Sequence, residues 1–144
     1  SQKVRMVDKL KRLMGGSFKG KTVAVLGLAF KPQTDDVREA ASIVIVSNLA
    51  ESGATVQAYD PIAMDNFKNH FPNIQYFDSW QDAVKNADAC ILLTEWNEFR
   101  GMDLNKLKDL MKTPVLLDTK NIINIQGLES RGFTYDNVGR KSPS

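Results

Sequence analysis

Val25-Leu26-Gly27-Leu28-Ala29-Phe30-Lys31-Pro32-Gln33-Thr34-Asp35-Asp36-Val37-Arg38 is where an apolar run stops abruptly and packed charge, proline and turn formers take over. Residues 22–28 are β-branched and continuously apolar, the pattern of a strand buried on both faces of a parallel sheet, and residues 40–49 then read as a helix. In open α/β sheets the loop joining such a pair stands at the carboxyl end of the strand, where ligands bind. This loop carries Lys31 and Arg38 on either side of Asp35 and Asp36, and cations in that place suit an anionic ligand.

The dinucleotide fingerprint G-x-G-x-x-G needs its glycines so that backbone can approach a pyrophosphate at a helix N-terminus. Here Gly27 is followed by Leu28, Ala29 and Phe30, so there is no glycine-lined cradle and a phosphate at this loop would be held by side chains. The G-K-[ST] ending of a P-loop is missing too. Asp36-Val37-Arg38-Glu39 fits a capping box for the helix that follows, with Asp36 accepting from backbone N–H groups and Glu39 reaching back.

Outward from this stretch, the chain alternates. Val4, Val7, Leu10, Leu13 and Met14 recur at helical spacing over residues 2–14, and Gly15-Gly16 stops that helix. The second helix extends to Glu51 or Ser52 and ends at Gly53; residues 54–59 form a second strand closed by Asp60-Pro61, where Asp60 reads as a turn aspartate. Residues 61–70 predict a short helix, 74–77 a short strand, and 79–86 a helix started by Ser79. Residues 87–94 form a strand, Asp103 caps a helix with Leu104, Leu107, Leu110 and Met111 on one face, and 114–118 form a fifth strand. A last helix over 125–131 stops at Gly132, a closing strand covers 133–135, and 139–144 are a frayed tail. Strands alternating with helices predict an α/β fold, an open and mainly parallel Rossmann-like sheet with helices on both faces, preceded by one N-terminal helix.

Composition bounds the function. The 144 residues, 42% hydrophobic and 25% charged, suit one globular domain, and no apolar run approaches the roughly 20 residues that span a bilayer. A net charge of +2 gives no case for nucleic acid, and the cations between Lys3 and Lys21 read as a solvated helix face. The single cysteine, Cys90, excludes an internal disulfide, and with no secretion signal ahead of the fold the expected compartment is the cytoplasm. Cys90 lies inside a strand without a cationic neighbour and reads as a small buried hydrophobe; His70, the only histidine, reads as a surface residue. Trp96 has two open readings, a platform for a base or ribose and a ring packed onto the domain.

The loop resembles the G-L-A-F-K-P-x-T-D-D-x-R segment of the nucleotide-sugar dehydrogenases that oxidise UDP-glucose or GDP-mannose. The resemblance continues in family order through Tyr59-Asp60-Pro61, Ala87-Asp88-Ala89, Thr94-Glu95-Trp96 and Asp118-Thr119-Lys120-Asn121. It implies the C-terminal, nucleotide-sugar-binding domain of such an enzyme, at residues 17–139, with residues 1–16 the end of an interdomain or dimerisation helix and 140–144 a tail. A helix folded onto its own domain is the other reading of 1–16. The resemblance places Phe30, Lys31 and Lys120 against the UDP-sugar and Arg38 against NAD. Lys120 stands where the family usually has the arginine of D-G-R-N, keeping the charge and losing the bidentate fork.

The family reaction takes the sugar C6 alcohol to a carboxylate with two NAD, through a thiohemiacetal and thioester on a catalytic cysteine, and serves polysaccharide biosynthesis. The resemblance implies that the NAD domain and that cysteine lie in N-terminal and middle regions of the same enzyme, a homodimer, so that this stretch binds without catalysing. On charge and hydropathy, neither a nucleic acid nor a membrane is expected as a partner. Similarity around Phe30-Lys31-Pro32 and Thr94-Glu95-Trp96 favours UDP-glucose over UDP-N-acetylhexosamine or GDP-mannose. Two other classes stay open: a stand-alone nucleotide-binding module without catalysis, and a self-contained NAD-dependent oxidoreductase, which the missing glycine motif disfavours.

Overall fold

A computed structural model describes residues 2–38 and 40–137. Six strands, β1 (Thr22–Leu26), β2 (Thr55–Tyr59), β3 (Gln75–Tyr76), β4 (Ala89–Leu92), β5 (Val115–Asp118) and β6 (Thr134–Asn137), form one sheet in the order β3-β2-β1-β4-β5-β6, every neighbouring pair parallel. Chain order turns back on itself between β1 and β4, which makes that junction the switch point where the flanking loops diverge. β1 ends two residues earlier than its apolar run suggests, because Gly27 adopts φ +94 and turns the chain out of the sheet.

Side chains alternate across a strand, so each strand feeds two cores. Val23, Val25, Ile91 and Leu117 face one layer, closed by α1 (Gln2–Leu13), α2 (Ala41–Glu51) and α3 (Met64–Lys68) through Leu10, Ile45, Leu49 and Phe67. Ala24, Leu26, Cys90, Leu92 and Leu116 face the other, closed by α4 (Trp80–Val84), α5 (Asn97–Arg100), α6 (Leu104–Leu110) and α7 (Ile125–Ser130) through Trp80, Phe99, Leu107 and Leu128. Ser79, Asp103 and Asn124 cap α4, α6 and α7, accepting from Asp82 N, from Asn105 N and Lys106 N, and from Gly127 N.

α1 lies on its own domain. Met6, Val7 and Leu10 are buried in the first layer, and Lys9 Nζ donates to the Asn137 carbonyl at 2.7 Å beside the β6 carboxylate of Asp136. Val4 stays 50% exposed, so the stripe is covered only in part. Among the described residues no helix is long and apolar enough to cross a membrane. The expected tail over 139–144 lies outside the described residues.

The capping box is a correction. α2 begins at Ala41 behind an Ala40 cap with no side-chain bond, and Asp36 instead accepts from Arg38, in front of the helix. Two acceptor oxygens that meet a guanidinium two residues away gain a charge-assisted pair that a cap does not offer. Glu39, the other half of the box, lies outside the described residues.

Candidate functional site

Five loops leave the carboxyl edge of the sheet, after β1, β2, β3, β4 and β5. The β1 loop closes on itself, with Phe30 N–H donating to the Asp36 carbonyl at 3.3 Å and Gln33 at φ 68 taking the bend. Asn66 Nδ2 ties it to α3 through the Asp35 carbonyl. Phe30 protrudes, 43% exposed, and Lys31 Nζ lies 5.3 Å from the centroid of its ring, within cation–π range. The pair forms a lip with an apolar face and a positive charge beside it.

Arg38 points elsewhere. Its Nε and terminal nitrogen grip the two Asp36 oxygens at 3.0 and 2.7 Å, and its side chain is 84% exposed. These hydrogen bonds from the Arg38 side chain, and next the one from its backbone N–H, hold the Asp36 carboxyl down at about 2. Arg38 lines a cleft of about 370 Å³ with Asp35, Asp36, Asn66, Asn69 and His70. His70 is exposed there, as its surroundings in sequence suggest.

Lys120 is exposed after β5, in a turn organised by its neighbour: buried Asp118 accepts from the backbone N–H groups of Lys120, Ile122 and Ile123 at 3.0, 2.8 and 2.8 Å. One strand, β4, separates the Lys120 turn from the Phe30-Lys31 lip, a gap of about 10 Å along the sheet. The structure thus brings Phe30 and Lys31 together, sets Lys120 across the edge from them, and turns Arg38 into a separate cleft.

Asp60 is the residue that sequence reasoning undervalued. It is fully buried after β2, and Oδ2 accepts from Leu28 N at 2.7 Å and Ala29 N at 3.4 Å while Oδ1 accepts from Ile62 N and Ala63 N, both at 2.8 Å. Trp96 Nε1 donates to it at 3.4 Å, and the Trp96 ring is buried in the second core layer, so packing is the reading that holds. The amides that a glycine loop would offer a pyrophosphate are filled here by a carboxylate of the same chain. An aspartate behind a strand and before proline was the available signal, but Leu28 and Ala29, the partners that tie it to the β1 loop, lie about thirty residues away in sequence. Cys90 is fully buried, and its thiol is pushed up first by burial and then by the Asp118 carboxylate, which removes it as a nucleophile. Among the described residues no cluster of side chains could hold a metal ion.

The model of the UDP-glucose/GDP-mannose dehydrogenase family, UDP binding domain, matches residues 24–125. The chain belongs to this family. UDP-glucose 6-dehydrogenase TuaD of Bacillus subtilis (strain 168) is 42% identical over 140 residues, which are 96% of this chain and 30% of that protein. Among solved structures, an NDP-N-acetyl-D-galactosaminuronic acid dehydrogenase from Methanosarcina mazei Go1 superposes with a TM-score of 0.82 at 26% identity, over 96% of this chain and 29% of its own. A UDP-glucose dehydrogenase from Pyrobaculum islandicum does so with a TM-score of 0.74 at 27% identity, again over 96% and 29%. The chain therefore spans about 30% of the length of the relatives it matches, and the match falls on the family's UDP binding domain.

Proposed function

We propose that this domain binds the nucleotide end of UDP-glucose in an NAD-dependent enzyme that oxidises the sugar to UDP-glucuronate. The carrying observation is the cationic rim: Phe30 and Lys31 on one side of β4 and Lys120 on the other stand at the carboxyl edge of the sheet. The lysines supply charge to phosphate oxygens and the Phe30 ring supplies apolar surface. The 42% identity to a UDP-glucose 6-dehydrogenase supports UDP-glucose over the other nucleotide sugars.

NAD fits this chain only at its margin. The Leu28 and Ala29 amides are taken by Asp60, so the pyrophosphate has no backbone cradle, and Arg38 with its planar fork is the residue suited to a phosphate of a cofactor held by another region. When bound there, NAD accepts hydride; this chain orients the substrate so that binding energy at the nucleotide is used at C6. We further assign the region before residue 17 to contact with the rest of the enzyme and with a second subunit, which the half-exposed Val4 supports. The buried, unpaired Cys90 agrees with a reducing cytoplasm, and the product is a precursor for polysaccharide biosynthesis.

Calorimetric titration with UDP and assay of NADH formation test the reading. The isolated domain should bind UDP and form no NADH from UDP-glucose and NAD, whereas the full-length protein forms two NADH per UDP-glucose. NADH formation by the domain, or a full-length protein inert towards UDP-glucose, would overturn it.

A further inference from the structure

Leu28 and Ala29 are held by side chains from three separate places in the chain. Asp60 Oδ2 takes both of their N–H groups, at 2.7 and 3.4 Å. Ser42 Oγ, on the first turn of α2, donates to the Leu28 carbonyl at 2.6 Å, and Thr94 Oγ1, after β4, donates to the Ala29 carbonyl at 2.7 Å. All three side chains are buried, with exposures of 0, 1 and 0%. Every backbone polar group of the two residues before Phe30 is thus satisfied by a side chain, without a sheet partner and without a ligand.

We propose that Asp60, Ser42 and Thr94 are positioning residues for nucleotide binding, fixing the Leu28-Ala29 peptides and thereby aiming Phe30 and Lys31 at the ligand. The inference rests on the reading of Phe30 and Lys31 as nucleotide contacts. In a glycine-loop nucleotide site the ligand's own phosphate organises the amides at the end of the first strand. Here the carboxylate of Asp60 takes those amides, so their arrangement needs no phosphate. Pre-ordering lowers the entropy lost on binding. Buried bonds of this kind have no exchange partner in water, so removing one hydroxyl leaves a carbonyl unsatisfied and loosens the loop.

The test is made in the full-length protein with UDP and NAD titrated separately. Thr94→Val removes the hydroxyl at nearly constant volume; it should raise the Kd for UDP by about three- to tenfold, the worth of one hydrogen bond, with the Kd for NAD within about twofold. Thr94→Ser keeps the hydroxyl and recovers most of the loss. Ser42→Ala should weaken UDP in the same way and supplies the measurement if Thr94→Val does not fold. Lys31→Ala separates the inference from the reading beneath it. If Lys31→Ala leaves UDP affinity unchanged, the nucleotide is not at this loop. If Lys31→Ala weakens UDP while folded Thr94→Val and Ser42→Ala bind it like the parent, the positioning role alone is wrong. Equal losses for UDP and NAD that follow the melting temperature also overturn it, since they report a scaffold and nothing more.

Discussion

Thr94 packs so closely over Gly27 that a Cβ placed on the glycine would lie 2.5 Å from Thr94 Oγ1 and 2.7 Å from its backbone nitrogen. The two residues close the crevice between β1 and β4, the switch point at which doubly wound sheets open to ligands. With that close approach, the proposed nucleotide site falls to the side chains of the rim. Gly27→Ala would combine the strain of φ +94 with a clash that side-chain rotation cannot relieve, a loss of about 2–4 kcal/mol. Denaturant midpoints measure it. Adding Thr94→Ala should recover only part, because the backbone contact remains; complete recovery would mean that the hydroxyl and methyl alone set the limit.

The Asp36–Arg38 pair makes a prediction about acid. The folded-state value of about 2 lies below the ordinary 3.8, so the pair's stabilisation of the loop is complete above 3.8 and is lost as pH falls through about 2. Side-chain carboxyl NMR should place the Asp36 midpoint near 2 and, in Arg38→Ala, back towards 3.8. An unshifted midpoint with Arg38 present would show that the exposed guanidinium does not hold its partner in solution.

Cys90 should be silent. Its burial and raised pKa mean that a thiol-specific disulfide reagent labels the unfolded chain stoichiometrically and the native one negligibly. Fast labelling under native conditions would contradict the packing of β4.

Leu10 tests whether α1 is part of the domain. It is fully buried against the first core layer, so Leu10→Ala should cost about 2–5 kcal/mol in thermal or chemical unfolding of the isolated chain. Val4→Asp on the half-exposed side should change that stability by less than about 0.5 kcal/mol. The proposed contact of α1 with a second subunit predicts that Val4→Asp in the full-length protein lowers the association seen in analytical ultracentrifugation, and unchanged association would remove α1 from that contact.

The amino-acid sequence alone determined what depends on neighbours in the chain. Alternation of apolar strands with helical spacing sets the α/β class, Ser79 and Asp103 start their helices from within, and Gly53 and Gly132 stop theirs, at φ 85 and 77. The absence of a glycine cradle after β1 was equally plain, because it is a matter of residue type. Tertiary structure decided the rest. The strand order follows from which layers the helices can cover, and no local pattern encodes it. Asp36 looked like a cap because capping is a local pattern, yet its two oxygens gain more from the guanidinium beside them than from a helix that begins at Ala41. Asp60, Ser42 and Thr94 meet Leu28 and Ala29 across 14 to 65 positions of chain, and Trp96 turns inward to the same carboxylate. A buried polar group must find a partner, but burial itself is decided only when the sheet assembles, and so the residues that hold the loop after β1 became visible only in the fold.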